Sequence, residues 1–226
     1  MSNLGENLRA GIVALGQDPA SQPCQTYLAY LALLQRWNKA YNLSGIREPG
    51  RMLTHHILDS LAVLPHLHGL RCLDVGTGAG LPGLILALAR PDTHWVLLDS
   101  NGKKIRFLNQ CLREFAMGNA EVVQARVELY QPVAPFDTII SRAFGSLTEF
   151  YLATKHLLAP KGLLLAMKGP NPEEEVTPEL MSVADVDTIS LRVPGVEGGR
   201  TVVNIKQLQG NQQQATSYKP QGNPGL

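Results

Sequence analysis

The sequence predicts an α/β fold, a doubly wound sheet of seven strands preceded by an N-terminal helical extension. Three observations carry that expectation. Apolar residues recur at helical spacing through residues 1–68, short apolar runs alternate with amphipathic stretches from Arg71 onward, and a glycine-rich segment joins the first such run to the first such stretch.

In the extension, Tyr27, Leu28, Leu31, Leu34 and Trp37 lie three and four residues apart, and Leu53, Ile57, Leu61 and Leu64 repeat the pattern. Each set makes an apolar stripe on one helix face. Strands are expected at Cys72–Val75, Trp95–Leu98, Val122–Ala125, Thr138–Ser141 and Leu163–Met167, with helices at Pro82–Ala89, Lys103–Phe115 and Leu147–Leu158. These strands are continuously apolar, as in a parallel sheet covered on both faces. Two further strands, Thr188–Val193 and Thr201–Lys206, are separated by Pro194, Gly195, Gly198 and Gly199, and read as an antiparallel pair closing the sheet edge. The chain therefore divides into an extension packed on the core (1–68), a sheet domain (69–206) and a tail (207–226). The tail is rich in Gln, Gly and Pro, has few apolar residues to offset the entropy of ordering it, and is expected to be disordered.

Composition narrows the function classes. With 226 residues and 44% hydrophobic content, the chain can bury one substantial core and is too short for two full-sized catalytic domains. A formal net charge of +1 carries no bulk signature of nucleic-acid binding, so any basic surface must be local. Cys24, Cys72 and Cys111 are odd in number and form no C-x-x-C pair. That argues against a disulfide scaffold or zinc ribbon and fits a reducing cytoplasm. No apolar h-region follows Met1, and no apolar run is long enough to span a bilayer. A soluble, cytoplasmic monomer is expected.

The most informative segment runs Leu73-Asp74-Val75-Gly76-Thr77-Gly78-Ala79-Gly80-Leu81-Pro82-Gly83. Glycines at a strand-to-helix turn allow positive φ and let a ligand lie against the backbone. Pro82 suits the start of the helix that follows. Gly78, Gly80 and Gly83 also satisfy the dinucleotide spacing G-x-G-x-x-G, so NAD and S-adenosyl-L-methionine both enter. Asp74, placed to meet an ammonium, and the helices ahead of the sheet favour S-adenosyl-L-methionine. Asp99, at the end of the second strand, can accept both ribose hydroxyls of either cofactor.

Five ordered blocks then narrow the reading: Arg36-Trp37-Asn38-Lys39-Ala40-Tyr41-Asn42-Leu43-Ser44, His56-Ile57-Leu58-Asp59-Ser60, the glycine loop, Leu97-Leu98-Asp99-Ser100 with Gly102-Lys103-Lys104, and Ser141-Arg142-Ala143-Phe144. Together they resemble the RsmG family (glucose-inhibited division protein B) over about residues 25–206. The resemblance implies a Rossmann-like class I methyltransferase sheet. It also implies methyl transfer from S-adenosyl-L-methionine to N7 of guanine 527 in the 530 loop of 16S ribosomal RNA, with RNA or the 30S subunit as partner. Matched residue by residue, it implies cofactor contacts from Gly76, Gly78 and Leu81 in the loop, Val127 and Glu128 after the third strand, and Arg142 after the fourth. Ala79 stands where many members carry proline, and the tail has no recognised counterpart.

Guanine N7 has an exposed lone pair and no proton, so its methylation needs positioning and desolvation rather than a general base. Consistent with this, Ser141-Arg142-Ala143-Phe144 follows the fourth strand in place of an N-P-P-Y-like segment, and Pro23-Cys24 lies in the helical extension, away from the sheet edge. Arg142 is the leading catalytic candidate because a guanidinium at a strand's carboxyl end can hold a carboxylate or phosphate at two points; a structural ion pair is its alternative. Phe144 reads equally as a base-stacking ring or a core aromatic. Arg36, Lys39, Arg47 and Arg51, facing only Glu48, and Lys103, Lys104, Arg106 and Arg113 suit phosphate contacts or a solvated face. His55 and His56 are adjacent and lack a third ligand, so no metal site is expected, and His56 and Asp59 are read as structural or RNA-contacting. Alternative readings are methylation of another RNA or a small molecule, a binding module that senses S-adenosyl-L-methionine, or an NAD-dependent oxidoreductase. The last lacks a well-placed tyrosine–lysine pair.

Overall fold

The computed structural model describes residues 2–208, and the disorder expected of the tail lies, from residue 209 onward, outside them. The helical extension contains α1 (Ser2–Ala14), α2 (Cys24–Tyr41), α3 (Pro49–Met52), a π-helical turn over Leu53–Leu58 and α4 (Asp59–Leu61). The strands are β1 (Arg71–Val75), β2 (His94–Asp99), β3 (Ala120–Gln124), β4 (Phe136–Arg142), β5 (Leu158–Lys168), β6 (Ala184–Leu191) and β7 (Arg200–Gln207). Helices α5 (Gly83–Ala89), α6 (Gly102–Glu114), α7 (Leu147–Thr154) and α8 (Pro178–Met181) lie between them. The sheet has seven strands in the order β3-β2-β1-β4-β5-β7-β6. Strands β1 to β5 pair in parallel, and β7 runs antiparallel between β5 and β6.

Residues along a strand alternate between the two faces. Leu73, Val75, Val96, Leu98, Ile139, Leu164 and Val203 join one core with Phe150 and Tyr151 of α7 and Leu180 of α8. On the opposite face, Leu97 packs with Leu84 and Ile85 of α5 and with Phe107, Leu108 and Cys111 of α6. Leu8, Ile12, Tyr27, Tyr30, Leu31, Leu34, Ile57 and Leu61 of the extension belong to that same core. The extension is thus one wall of the sheet's core, which is why Tyr27, Leu31 and Leu34 are buried while Leu28 and Trp37 pack at its margin.

Several element ends shift from the expected ones. β3 starts at Ala120 rather than Val122, and β6 spans Ala184–Leu191 rather than Thr188–Val193. Both are edge strands whose alternating or intermediate burial dilutes the apolar signal. The expected helix over Leu147–Leu158 stops at Thr154, passes through a 3₁₀ turn (Lys155–Leu157), and β5 begins at Leu158. Thr154 directs its hydroxyl back to the Phe150 carbonyl, competing with continuation of the helix. Pro82 caps α5 instead of lying within it.

No helix among the described residues is long and apolar enough to cross a membrane.

Candidate active site

The two-residue period of the strands has a direct consequence for chemistry. Asp74 on β1, Asp99 ending β2 and Arg142 ending β4 fall on the sheet face covered by the extension, at the strands' carboxyl ends. β1 lies between β2 and β4, where the strand order reverses. A crevice at such a reversal is where open α/β sheets bind ligands.

The glycine loop forms one wall. Gly76 and Thr77 donate to the Leu98 carbonyl, and Gly80 and Leu81 donate to the Thr77 carbonyl, so the loop is hydrogen-bonded to β2 and to itself. Its glycines do different work. Gly76 has φ +68°, and a Cβ there would meet nothing within 4 Å. A Cβ on Gly83 would stand 2.5 Å from Asp74 Cβ and 2.7 Å from Leu97 Cδ2, so Gly83 serves helix-to-strand packing. Asp99 accepts from the Gly78 amide at 3.0 Å and Lys104 Nζ at 3.3 Å through Oδ2, and from the Asn101 amide at 2.9 Å through Oδ1. Lys104, read by sequence as a phosphate contact or part of a solvated face, is a counter-ion of Asp99.

Asp74 is a correction. Rather than facing a ligand, its carboxylate turns inward and is fully buried. Oδ2 accepts from Thr77 Oγ1 at 2.6 Å and the Gly83 amide at 2.7 Å, while Oδ1 is buried without a partner. Burial pushes its pKa up to about 6, against the lowering from those two bonds and from Arg142. A carboxyl raised above its ordinary 3.8 is held protonated more tightly by the folded chain than by the unfolded one. The resulting stabilisation is complete below the unfolded pKa and is lost as pH rises through about 6. Asp74→Asn can keep both donors on its carbonyl oxygen and cannot titrate. Relative to wild type it should gain roughly 2–3 kcal/mol between about pH 3.5 and pH 7.5, read by urea unfolding at both values. Parallel stability curves would contradict this assignment.

Arg142 ends β4, the neighbour of β1 in the sheet. Its Nη1 donates to the His55 carbonyl at 2.8 Å and to Asp59 Oδ2 at 3.1 Å. The π-helical turn makes the first of these bonds available, because the Asp59 amide donates to the carbonyls of Thr54 and His56 and passes over that of His55. Asp59 is only 2% exposed, and its Oδ1 accepts from Arg200 Nε at 3.1 Å. Arg142 thus makes the ion pair that was its structural alternative, with Nη2 left free of protein partners among the described residues. His56 is buried, bonded through Nε2 to Ser44 Oγ at 2.9 Å, and its pKa falls to about 4 through burial and the nearby Arg142. Ser44 is fixed by Asn38, whose side-chain amide bonds both its N–H and its C=O. The Asn38, Ser44, His56 and Asp59 blocks therefore build a single wall. His56 and Asp59 line a cleft of about 520 Å³ with Arg142, Phe144, Lys168, Glu175 and Arg200.

The remaining sequence candidates sort as follows. Leu81 is buried in the core beneath the loop, and Val127 is buried at a 3₁₀ turn after β3, where Glu128 is exposed. Phe144 packs on Phe150 at 5.4 Å between ring centres and also lines the cleft. Arg36, expected to face only Glu48, pairs with Glu114 at 3.5 Å, while Glu48 caps α3 through the Gly50 and Arg51 amides. Asn42 caps α2 in the left-handed region and accepts from Arg47 at 3.1 Å. Sequence reasoning passed over two residues of this region. Tyr30 donates to the Ala79 carbonyl in the glycine loop at 2.8 Å, and Arg200 reaches Asp59 from the start of β7. Neither had a local signal: Tyr30 reads as core, and Arg200 is one arginine at the start of a strand.

The sheet order and the site at its reversal define a class. A solved SAM-dependent methyltransferase from Aquifex aeolicus has the same fold, with TM-score 0.52 and 20% identity, covering 74% of this chain and 97% of that one. The profile of the rRNA small subunit methyltransferase G family matches residues 23–203. A relative from Nitrosococcus oceani, named Ribosomal RNA small subunit methyltransferase G, is 46% identical over 207 residues, 91% of this chain and 97% of its own length. A relative of the same name from Salmonella arizonae is 49% identical over 181 residues, 79% of this chain and 86% of its own. The chain belongs to the rRNA small subunit methyltransferase G family, and its class of activity is rRNA methyl transfer.

Proposed function

We propose that the chain transfers the methyl group of S-adenosyl-L-methionine to N7 of guanine 527 in the 530 loop of 16S ribosomal RNA. The observation that carries the reading is the convergence of Gly76, Asp99 and Arg142 at the carboxyl ends of β1, β2 and β4, where the strand order reverses. These residues fit the cofactor. Gly76 and Gly78 would leave room for it, Asp99 would accept ribose hydroxyls, and Glu128, exposed after β3, would lie beside the adenine with Val127 buried beneath it. Leu81 supports the loop from below. A free Nη2 on Arg142 suits the amino-acid carboxylate. When bound, the cofactor supplies an electrophilic sulfonium methyl.

The chain's own contribution is to hold the base in line and exclude water. Guanine N7 carries no proton, so no residue has to accept one. The cleft agrees with that economy. Asp59 is engaged by two arginines, Glu175 is bonded to Lys168 at 2.6 Å, and His56 is engaged by Ser44. Among the described residues lining it, no carboxylate stands free to act as a base. Phe144, at the rim, offers a ring face for an extruded base.

The test is a tritiated-methyl transfer assay on 16S RNA, offered as naked transcript and as 30S subunits lacking the modification, with the labelled nucleotide mapped. Label on N7 of a single guanine in the 530 loop is expected. Label elsewhere, or transfer to neither substrate by a protein that still binds S-adenosyl-L-methionine, would reject the proposed substrate.

A further inference from the structure

We infer that Arg200 binds an anionic oxygen of the RNA substrate, and that Asp59 prepares it by dividing its carboxylate between a cofactor-side arginine, Arg142, and a substrate-side arginine, Arg200. The inference rests on the function proposed above and adds the residue that grips the nucleotide.

Charge arithmetic comes first. One guanidinium would neutralise the buried Asp59 carboxylate, yet two are present, at 3.1 Å each and from distant parts of the chain. Lys168 and Glu175 cancel one another at 2.6 Å, and His56 is held neutral by burial. The cleft walls therefore carry one positive charge in excess. Each guanidinium is only about a quarter exposed, so the excess charge is partly desolvated, and an anion entering the cleft answers it.

Geometry supports the same conclusion. Arg200 spends Nε on Asp59 and Nη1 on the Gly199 carbonyl at 3.1 Å, which fixes the plane of the guanidinium. Its Nη2 has no protein partner among the described residues, and the side chain is about a quarter exposed. Held at two points, the fork loses little further freedom when it binds an oxygen. Gly199, at φ +75°, places the carbonyl that anchors it.

The two arginines come from different parts of the sheet, Arg142 from the end of β4 beside β1 and Arg200 from the start of β7 beyond β5. Arg200 lines the active-site cleft and also a second, outer cleft with Ser190, Arg192, Val193 and Val196. Arg192 extends the cationic track away from the cofactor loop. That arrangement suits a phosphodiester oxygen next to the reacting base better than the cofactor's carboxylate, the other source of the same chemistry.

Three measurements on the full-length protein separate these sources. They are the Kd of S-adenosyl-L-methionine by calorimetry, KM and kcat for the RNA substrate that wild type methylates, and the salt dependence of RNA binding. Arg200→Gln keeps the side chain's stem and an N–H donor while removing the charge. It is expected to leave cofactor Kd within about twofold, raise the RNA KM roughly tenfold, and flatten the slope of log K against log salt by about 0.7–0.9, one phosphate contact. Arg200→Lys should restore the slope and part of the KM, because it returns the charge without the fork. An equal loss of cofactor affinity in Arg200→Gln would assign the oxygen to the cofactor and overturn the inference. No change in KM or slope would make Arg200 a counter-ion of Asp59 only, and would overturn it as well. A wild-type protein unable to methylate RNA would instead reject the proposed function, so the two failures are distinct.

Discussion

Gly76→Asp is expected to leave the chain folded while weakening S-adenosyl-L-methionine binding about a hundredfold or more, the loss of roughly 2.8 kcal/mol. The side chain would grow into space that is open in the protein, since no atom lies within 4 Å of its Cβ position. Its cost to folding is the positive φ of +68°, about 1 kcal/mol for a residue that tolerates the left-handed region. Its cost to binding is larger, because it fills the place of the ligand and sets a second carboxylate near Asp99. Gly83→Ala is the control. Its Cβ would lie 2.6 Å from Asp74 Oδ2 and 2.7 Å from Leu97 Cδ2. Overpacking of that kind costs about 1–3 kcal/mol of stability, and binding falls with it as the loop shifts. Urea unfolding and calorimetry on the two variants check the contrast. Equal stability losses in both would show that Gly76, like Gly83, is a packing glycine.

Arg142→Ala is expected to lower kcat/KM by at least about a hundredfold, with cofactor Kd weakened roughly tenfold and stability reduced by about 1–3 kcal/mol. The stability loss is limited because Asp59 keeps Arg200, and because Arg142 is a quarter exposed and does not carry the full value of a buried pair. The excess loss in kcat/KM over that in Kd measures positioning of the reacting groups. Arg142→Lys should recover little of it, since a lysine cannot bond the His55 carbonyl and Asp59 and still present a planar fork to the cofactor. A variant with unaltered turnover and lowered stability would reduce Arg142 to a structural ion pair.

The sheet was legible because a parallel strand covered on both faces must be apolar throughout, and Leu73, Leu97 and Ile139–Ile140 announce themselves that way. The glycine loop was legible for a related reason: few sequences place glycines so closely at a strand-to-helix turn without a backbone that has to take positive φ there. What stayed hidden depended on distance in the chain. The Asp59–Arg200 contact joins residues 141 apart, and no local pattern encodes it. The free His55 carbonyl follows from a π-helical turn, whose apolar spacing is close to that of an α-helix over so short a stretch. Asp74 was expected to face a ligand because its position at the strand end is compatible with either direction. Only the packing of Gly83 against it shows that the carboxylate closes the loop from within. The partners of the basic residues were hidden too: Arg36 and Lys104, read as phosphate contacts or a solvated face, stand beside Glu114 and Asp99.

The most direct test of the account is a calorimetric titration of the wild-type chain with S-adenosyl-L-methionine and, separately, with NAD. The crevice between the glycine loop, Asp99 and Arg142 is expected to take up one S-adenosyl-L-methionine per chain, with no heat from NAD and with the binding lost in Gly76→Asp. Binding of NAD in its place, or uptake of S-adenosyl-L-methionine undiminished in Gly76→Asp, would contradict the placement of the site and the chemistry assigned to it.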